Sequence, residues 1–164
     1  MNKLASRSAQ YPLVQEFAFN FNDWVIDSAD GTKKTLGSTV AAATDPAESG
    51  LNGPVANTIT FDCIPLPVGA VIVGGEVIVE TAVTGSTAYT VSLGIAGNLT
   101  ALANAVDGKV AARTALTLTA PLVSNSGQNL RATVAYTVAN ATAGKVRLRV
   151  QYTIDGKANE VQIS

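Results

Sequence analysis

The sequence predicts an all-β fold: a single antiparallel β-sandwich, jelly-roll-like, preceded by an extended N-terminal arm. Three observations carry this. Apolar and polar residues alternate with a period of two in segment after segment. Clusters of Gly, Asn, Asp and Pro separate those segments. No stretch shows the 3.6-residue spacing of an amphipathic helix. A length of 164 residues fits one domain and is enough to bury a core.

Taken in order, residues 1–12 show neither period and are read as the arm, with residues 13–164 as the sandwich domain. In Leu13 to Phe21 the rings of Phe17, Phe19 and Phe21 share one face, opposed by Glu16, Ala18 and Asn20, as in a half-buried strand. Trp24 follows, and Asp30-Gly31 within DSADG is a hairpin turn signal. Thr35 to Thr44 reads equally as a short helix or an extended piece, and Asp45 to Pro54 as a loop. Val55, Ile59 and Phe61 then alternate toward the central stretch, Ile64 to Thr81.

That stretch opens on Pro65 and Pro67, which lack a donor N–H and are expected outside a paired ladder. A Val/Ile run follows, broken by Gly74-Gly75, where a bulge or sharp bend is expected. Before the glycines no charge occurs, so burial on both faces is expected; after them Glu76, Ile78 and Glu80 oppose Val77 and Val79. In the C-terminal half, Tyr89, Val91 and Leu93 alternate, and Leu99 to Val106 is either a strand or a helical turn. Arg113 to Thr119 alternates, with Leu116 and Leu118 on one face; Pro121 to Asn129 is a turn region. Ala132, Val134, Tyr136 and Val138 form a strand. The last strand is the clearest: Val146, Leu148, Val150, Tyr152 and Ile154 inward, with Lys145, Arg147, Arg149, Gln151 and Thr153 outward.

Composition narrows function. Hydrophobic residues make up 47% and charged residues 14%, against about 25% charged in an ordinary soluble domain. So little charge suggests that other chains cover part of the nominal surface. The net charge of −1 and scattered basic residues give no footprint for nucleic acid. No run reaches a membrane span, and the N-terminus lacks the apolar core of a signal peptide, so synthesis and first residence in a cytoplasm are expected. Cys63, the single cysteine, is expected to be a buried, inert thiol.

Catalytic patterns are missing. Without histidine there is no Ser-His-Asp or Cys-His arrangement and little prospect of zinc. Glu76 and Glu80, four apart on a strand, stand about 13 Å apart by strand rise, too far for a glycosidase pair. Asp23, Asp27 and Asp30 bracket a turn without the calcium-loop spacing, so turn capping is their expected work. Gly74-Gly75 has no Lys-Ser/Thr or helix behind it and is no phosphate cradle. Asn98-Leu99-Thr100 matches a glycosylation acceptor only formally. The expectation is a protein that is not an enzyme and uses no cofactor and no metal.

The ordered pieces IPLPVGAVIVGGEVIVETAVTG, YTVSLGIAG, GKVAARTALTLT and AGKVRLRVQYTIDGKANE resemble small virion structural proteins of tailed bacteriophages. In that group a Pro-x-Gly-Ala turn leads into a Val-rich strand, and a final strand runs into Asp-Gly-Lys/Arg-Ala. The resemblance spans about residues 57–160; Gly94-Ile95 stands where the family has Gly-Asp. It implies a head decoration, or cement, protein on the capsid surface of the virion. The implied partner is the major capsid protein, and the implied oligomer a trimer. Two further readings compete: a head-fibre base or tail component, and a carbohydrate-binding module presenting Trp24, Tyr11, Tyr89, Tyr136 or Tyr152. Candidate contact residues are Tyr11, Pro12 and Leu13 of the arm, Pro46 and Leu51 of the loop, and Arg147 and Arg149 on the last strand.

Overall fold

The structure is a computed structural model and describes residues 11–37, 56–119, 123–124, 126–137 and 141–154. Every regular element among them is a strand: β1 (Leu13–Asn20), β2 (Trp24–Ile26), β3 (Lys33–Thr35), β4 (Ala56–Pro65), β5 (Ala70–Thr84), β6 (Ala88–Ile95), β7 (Asn98–Asp107), β8 (Arg113–Ala115), β9 (Val123–Ser124), β10 (Asn129–Thr137) and β11 (Ala143–Ile154). A first sheet runs β1-β11-β5-β8, with β9 also on β5; a second runs β4-β10-β6-β7; β2 and β3 pair with each other. All pairings are antiparallel.

The pairings nest. β1 joins β11, β4 joins β10, β5 joins β8 and β6 joins β7, so the chain resembles one long hairpin rolled into two facing sheets. The result is the antiparallel β-sandwich that the alternating segments predicted. Inward side chains fill the space between the sheets: Phe19, Val77, Val79, Leu148 and Val150 from the first, and Ile59, Phe61, Val91, Leu93 and Val134 from the second. The expected aromatic cluster is present. Phe61 lies 5.8 Å edge-to-face from Phe19 and 5.9 Å from Phe17, a geometry that adds to plain area burial.

β5 is the longest strand and lies inside its sheet, between β11 and β8. The expected bulge occurs beside the glycine pair: Gly74 faces Gln151, but Ile72 faces Tyr152, leaving Val73 unpaired. One extra residue reverses the inward parity, so Ala70 and Ile72 point inward before the bulge, and Val77 and Val79 after it. Gly75 has φ +145°, and a Cβ there would lie 2.3 Å from the Arg149 carbonyl oxygen. Only glycine fits.

Several expectations need correction. The uncharged first half of β5 is not buried on both faces: Val73 is 43% exposed and Val71 half-buried. A two-layer antiparallel sandwich leaves one face of each sheet open, whatever its residues. Strand β8 stops at Ala115, and Leu118 is 41% exposed. The region read as turn at 121–129 contains β9, which pairs with Ala70 and Val71. Pro65 does end a paired strand, opposite Asn129, but β4 is an edge strand where a missing N–H costs little. Leu99 to Val106 resolves as strand. The ambiguity at Thr35 to Thr44 and the 45–54 loop fall almost wholly outside the described residues.

Candidate interaction surface

Two features organise the surface: a ladder of charges on the outer face of the first sheet, and a cleft bordered by β1, β2 and β4. The ladder follows from register. β11 places Arg147 and Arg149 outward, with β1 on one flank and β5 on the other. Glu16 accepts from Arg147 at 2.8 Å and from Arg149 at 2.5 Å. Arg147 also reaches Glu80 at 2.5 Å, which takes Lys145 at 2.9 Å. Arg149 reaches Glu76 at 3.2 Å, which takes Arg113 of β8 at 2.5 Å. Seven alternating charges therefore cross all four main strands of the sheet.

The electrostatics agree with the geometry. Hydrogen bonds from Arg147 and then Arg149 hold the Glu16 carboxyl below its ordinary range. Arg113 does this chiefly for Glu76, and Lys145 with Arg147 for Glu80. The basic face predicted on the last strand is thus real, but each of its three cations is paired with a carboxylate of this chain.

The β2–β3 hairpin is fastened beside β4. Its turn is the predicted one: Gly31, at φ +71°, donates its N–H to the Asp27 carbonyl at 2.8 Å. Asp27 is buried. Its Oδ1 accepts from the backbone N–H of Ala29 at 3.0 Å and of Thr60 at 3.2 Å, and its Oδ2 takes the Lys34 ammonium at 2.6 Å. Burial pushes this carboxyl up, but these donors outweigh it and hold it low. Asp30 binds Lys34 at 2.7 Å and caps Thr32. Asp23 accepts from the Asn20 N–H at 2.7 Å. The three aspartates therefore act as turn caps, as their spacing suggested.

Just past β8, the N–H of Thr117 donates to the Leu102 carbonyl of β7 at 2.7 Å, which ties the two sheets together there. On the other side the edge strands β1 and β4 face each other, each with one strand partner among the described residues. A cleft of about 330 Å³ opens there, lined by Phe17 of β1, Val25 and Ile26 of β2, Ser28, and Phe61 and Asp62 of β4. Asp62 is held by Arg131 at 2.8 Å and Asn129 at 3.1 Å.

The structure brings some predicted residues together. Tyr11, Pro12 and Leu13 lead into the β1 edge, with Tyr11 88% and Leu13 45% exposed. Arg147 and Arg149 are on the adjacent strand. Pro46 and Leu51 lie outside the described residues. Of the aromatics named for sugar binding, Tyr89, Tyr136 and Tyr152 are buried; Tyr89 donates to the Leu36 carbonyl at 2.6 Å and stacks on Tyr136. Trp24 and Tyr11 stay exposed, and the Lys33 ammonium lies 4.0 Å over the Trp24 ring, covering one of its faces. Sequence reading missed Glu16 as the ladder's centre and Asp27 as the hairpin's anchor. The arginines that Glu16 binds and the Thr60 N–H that Asp27 accepts lie far along the chain, so no local signal marks these contacts.

Cys63 is half-buried rather than fully buried as expected. It is the extra residue at a register shift between β4 and β10; its thiol donates to the Leu130 carbonyl at 3.2 Å, and burial pushes it up to about 12. Among the described residues no group of three or more His, Cys, Asp or Glu could hold a metal ion.

Fold and surface together define a small antiparallel β-sandwich whose developed features are faces and edges. Among solved structures, a chain of the cyanophage Pam1 capsid asymmetric unit is similar over nearly its whole length. The TM-score is 0.56 at 21% identity, covering 93% of this chain and 94% of that one. No family model matches, and no curated protein matches in sequence. The likeness is one of fold, between chains of nearly equal length.

Proposed function

We propose that this chain is a structural component of a tailed-bacteriophage virion, bound to the capsid exterior as a decoration protein that stabilises the expanded head. The observation that carries this reading is the end-to-end likeness of fold to a chain from a phage capsid. The motif order of residues 57–160 supports it independently, because it resembles virion proteins in a part of the chain with no catalytic pattern.

The activity of such a protein is its free energy of contact with the major capsid protein. An interface of ordinary size buries about 1,600 Å² in all, and apolar burial contributes roughly 25 cal/mol per Å² before the costs of association. Leu13 and Val14, 45% and 53% exposed on β1, supply apolar area on a strand that is an edge of its sheet among the described residues. Tyr11 and Pro12 extend that edge. A neighbouring strand added there would gain main-chain hydrogen bonds as well as burial. Arg147 and Arg149 contribute stems and paired rather than free cations. A trimer at three-fold or quasi-three-fold positions suits a seam-clamping role.

The test is reconstitution. Purified protein is added to expanded heads that lack it, and binding is read by co-sedimentation and cryo-electron microscopy. Saturable binding over the shell, with greater heat resistance of the heads, is the expected result. Binding at the tail vertex alone would transfer the protein to the tail or head fibre, and absence of binding would end the capsid reading.

A further inference from the structure

We infer that the outer face of the second sheet carries a binding site for a single ring of a neutral saccharide, seated in a groove over β10. Register builds the groove. Arg131 and Thr133 point outward from β10, because Ala132 and Val134 are buried in the core. On one flank the β2–β3 turn stands over β4: the Ser28 N–H donates to the Thr60 carbonyl at 2.6 Å, and Asp27 takes the Thr60 N–H. On the other flank β7 climbs over β6. Between the pairs Leu93–Ala103 and Ile95–Asn98, β6 has Gly94 alone, while β7 runs from Leu99 to Leu102. The surplus chain lies on the outer face at Gly94, where the Asn98 carbonyl leaves no room for a Cβ. Gly94 is the strand partner of Arg131, so this second wall stands beside the floor. The space between the walls is about 300 Å³, lined by Ser28, Ala29, Thr60, Gly97, Leu99 and Arg131.

The lining selects the ligand. β10 is paired with β4 on one side and β6 on the other, so the floor offers no main-chain edge to an extended peptide. It offers hydroxyls and a guanidinium instead. The Thr60 hydroxyl lies 3.1 Å from that of Thr133 and keeps a lone pair for a further donor, and Ser28 adds a hydroxyl on the wall. Arg131 gives its Nε–H to Asp62 at 2.8 Å, and its terminal N–H groups have no acceptor among the described residues. Charge favours neither sign. Arg131 is balanced by Asp62, and Lys34 behind the turn by Asp27 and Asp30, so there is no positive surplus for an anion and each carboxylate already has its cation. Donors and acceptors mixed in this way suit the vicinal hydroxyls of an uncharged sugar, and Leu99 and Ala29 face its C–H groups. An apolar cavity of about 150 Å³ takes the bare six-membered ring of benzene; about 300 Å³ takes one such ring with its hydroxyl groups.

This site is apart from the exposed aromatics Trp24 and Tyr11, neither of which lines it. It belongs to the second sheet, whereas the contacts proposed for the capsid lie on β1 and β11 of the first. It therefore stands or falls separately from capsid binding.

Titration of the isotope-labelled full-length protein with methyl α-D-glucopyranoside, methyl α-D-mannopyranoside and methyl α-D-galactopyranoside, followed by amide chemical shifts, tests it. At least one sugar is expected to give saturable shifts at millimolar concentration, confined to the lining residues and their chain neighbours. Arg131→Met, which keeps the stem, is expected to weaken that binding about tenfold, and Ser28→Ala, at an exposed position, about threefold. Trp24→Ala is expected to leave it unchanged. No saturable shift with any of the three sugars, shifts centred elsewhere on the surface, or undiminished binding by a folded Arg131→Met or Ser28→Ala would each overturn the inference. Loss of binding in Trp24→Ala would overturn it too and move the sugar to that exposed ring. Tighter binding of D-glucuronate than of the methyl glucoside would overturn the choice of a neutral ligand.

Discussion

Replacing Asp27 separates two roles held by one buried carboxylate. Oδ1 takes two backbone N–H groups, one of them from Thr60 across the gap to β4, while Oδ2 takes Lys34. Asp27→Ala removes both. The Thr60 N–H, in a residue only 9% exposed, is then left without this acceptor, which costs about 1–3 kcal/mol. Loss of the Lys34 contact adds about 1 kcal/mol, softened because Asp30 still holds that ammonium at 2.7 Å. The total is about 3 kcal/mol. With a urea slope of about 2 kcal/mol per molar, the midpoint falls by about 1.5 M. Asp27→Asn keeps an oxygen for the two backbone donors and loses only the charge, so about 1 kcal/mol and 0.5 M are expected. Urea titration followed by tryptophan fluorescence is the natural assay, since Trp24 sits on the same hairpin. If Asn costs as much as Ala, the backbone caps are not what fastens the hairpin; if Ala costs less than about 1 kcal/mol, the anchor itself is wrong.

Further outcomes follow from the same structure. Gly75→Ala should lower the melting temperature sharply or abolish soluble expression, because its Cβ would meet the Arg149 carbonyl at 2.3 Å and Leu116 at 2.7 Å; a melt within a degree or two of the parent would contradict the bulge geometry. Cys63, with its thiol pushed up to about 12, is about one part in 10,000 thiolate at pH 8, so alkylation should be at least a hundredfold slower in the folded than in the urea-unfolded protein. Glu16→Gln should weaken the hold of β11 on β1, read as faster hydrogen exchange of the Leu13–Asn20 amides with other strands unchanged. Glu16, Glu76 and Glu80 are all held below 4.5, so the folded state binds fewer protons than the unfolded one. Their stabilisation is therefore complete above about pH 4.5 and lost as pH falls through the lowered values. Acid titrations of stability in low and high salt should show a steeper loss at low salt.

What the sequence determined by itself is local. Alternation told which side of each strand faces inward, because successive side chains on a pleated backbone must point to opposite sides. Phe17 with Phe19, Tyr136, and Val146 through Tyr152 were legible for that reason. So were the Gly74-Gly75 irregularity and the Asp30-Gly31 turn, since glycine alone tolerates those dihedrals without strain. Tertiary structure decided everything that needs two distant segments to meet. That β1 lies against β11, bringing Glu16 between Arg147 and Arg149, depends on which edges remain open once the chain has rolled up. The exposure of Val73, the burial of Tyr89 and the bond from Thr60 to Asp27 are set in the same way. Hydrogen-bonded ladders are chemically alike from strand to strand, so strand order is chosen by how the inward faces fill the shared core. No single strand's residues contain that information.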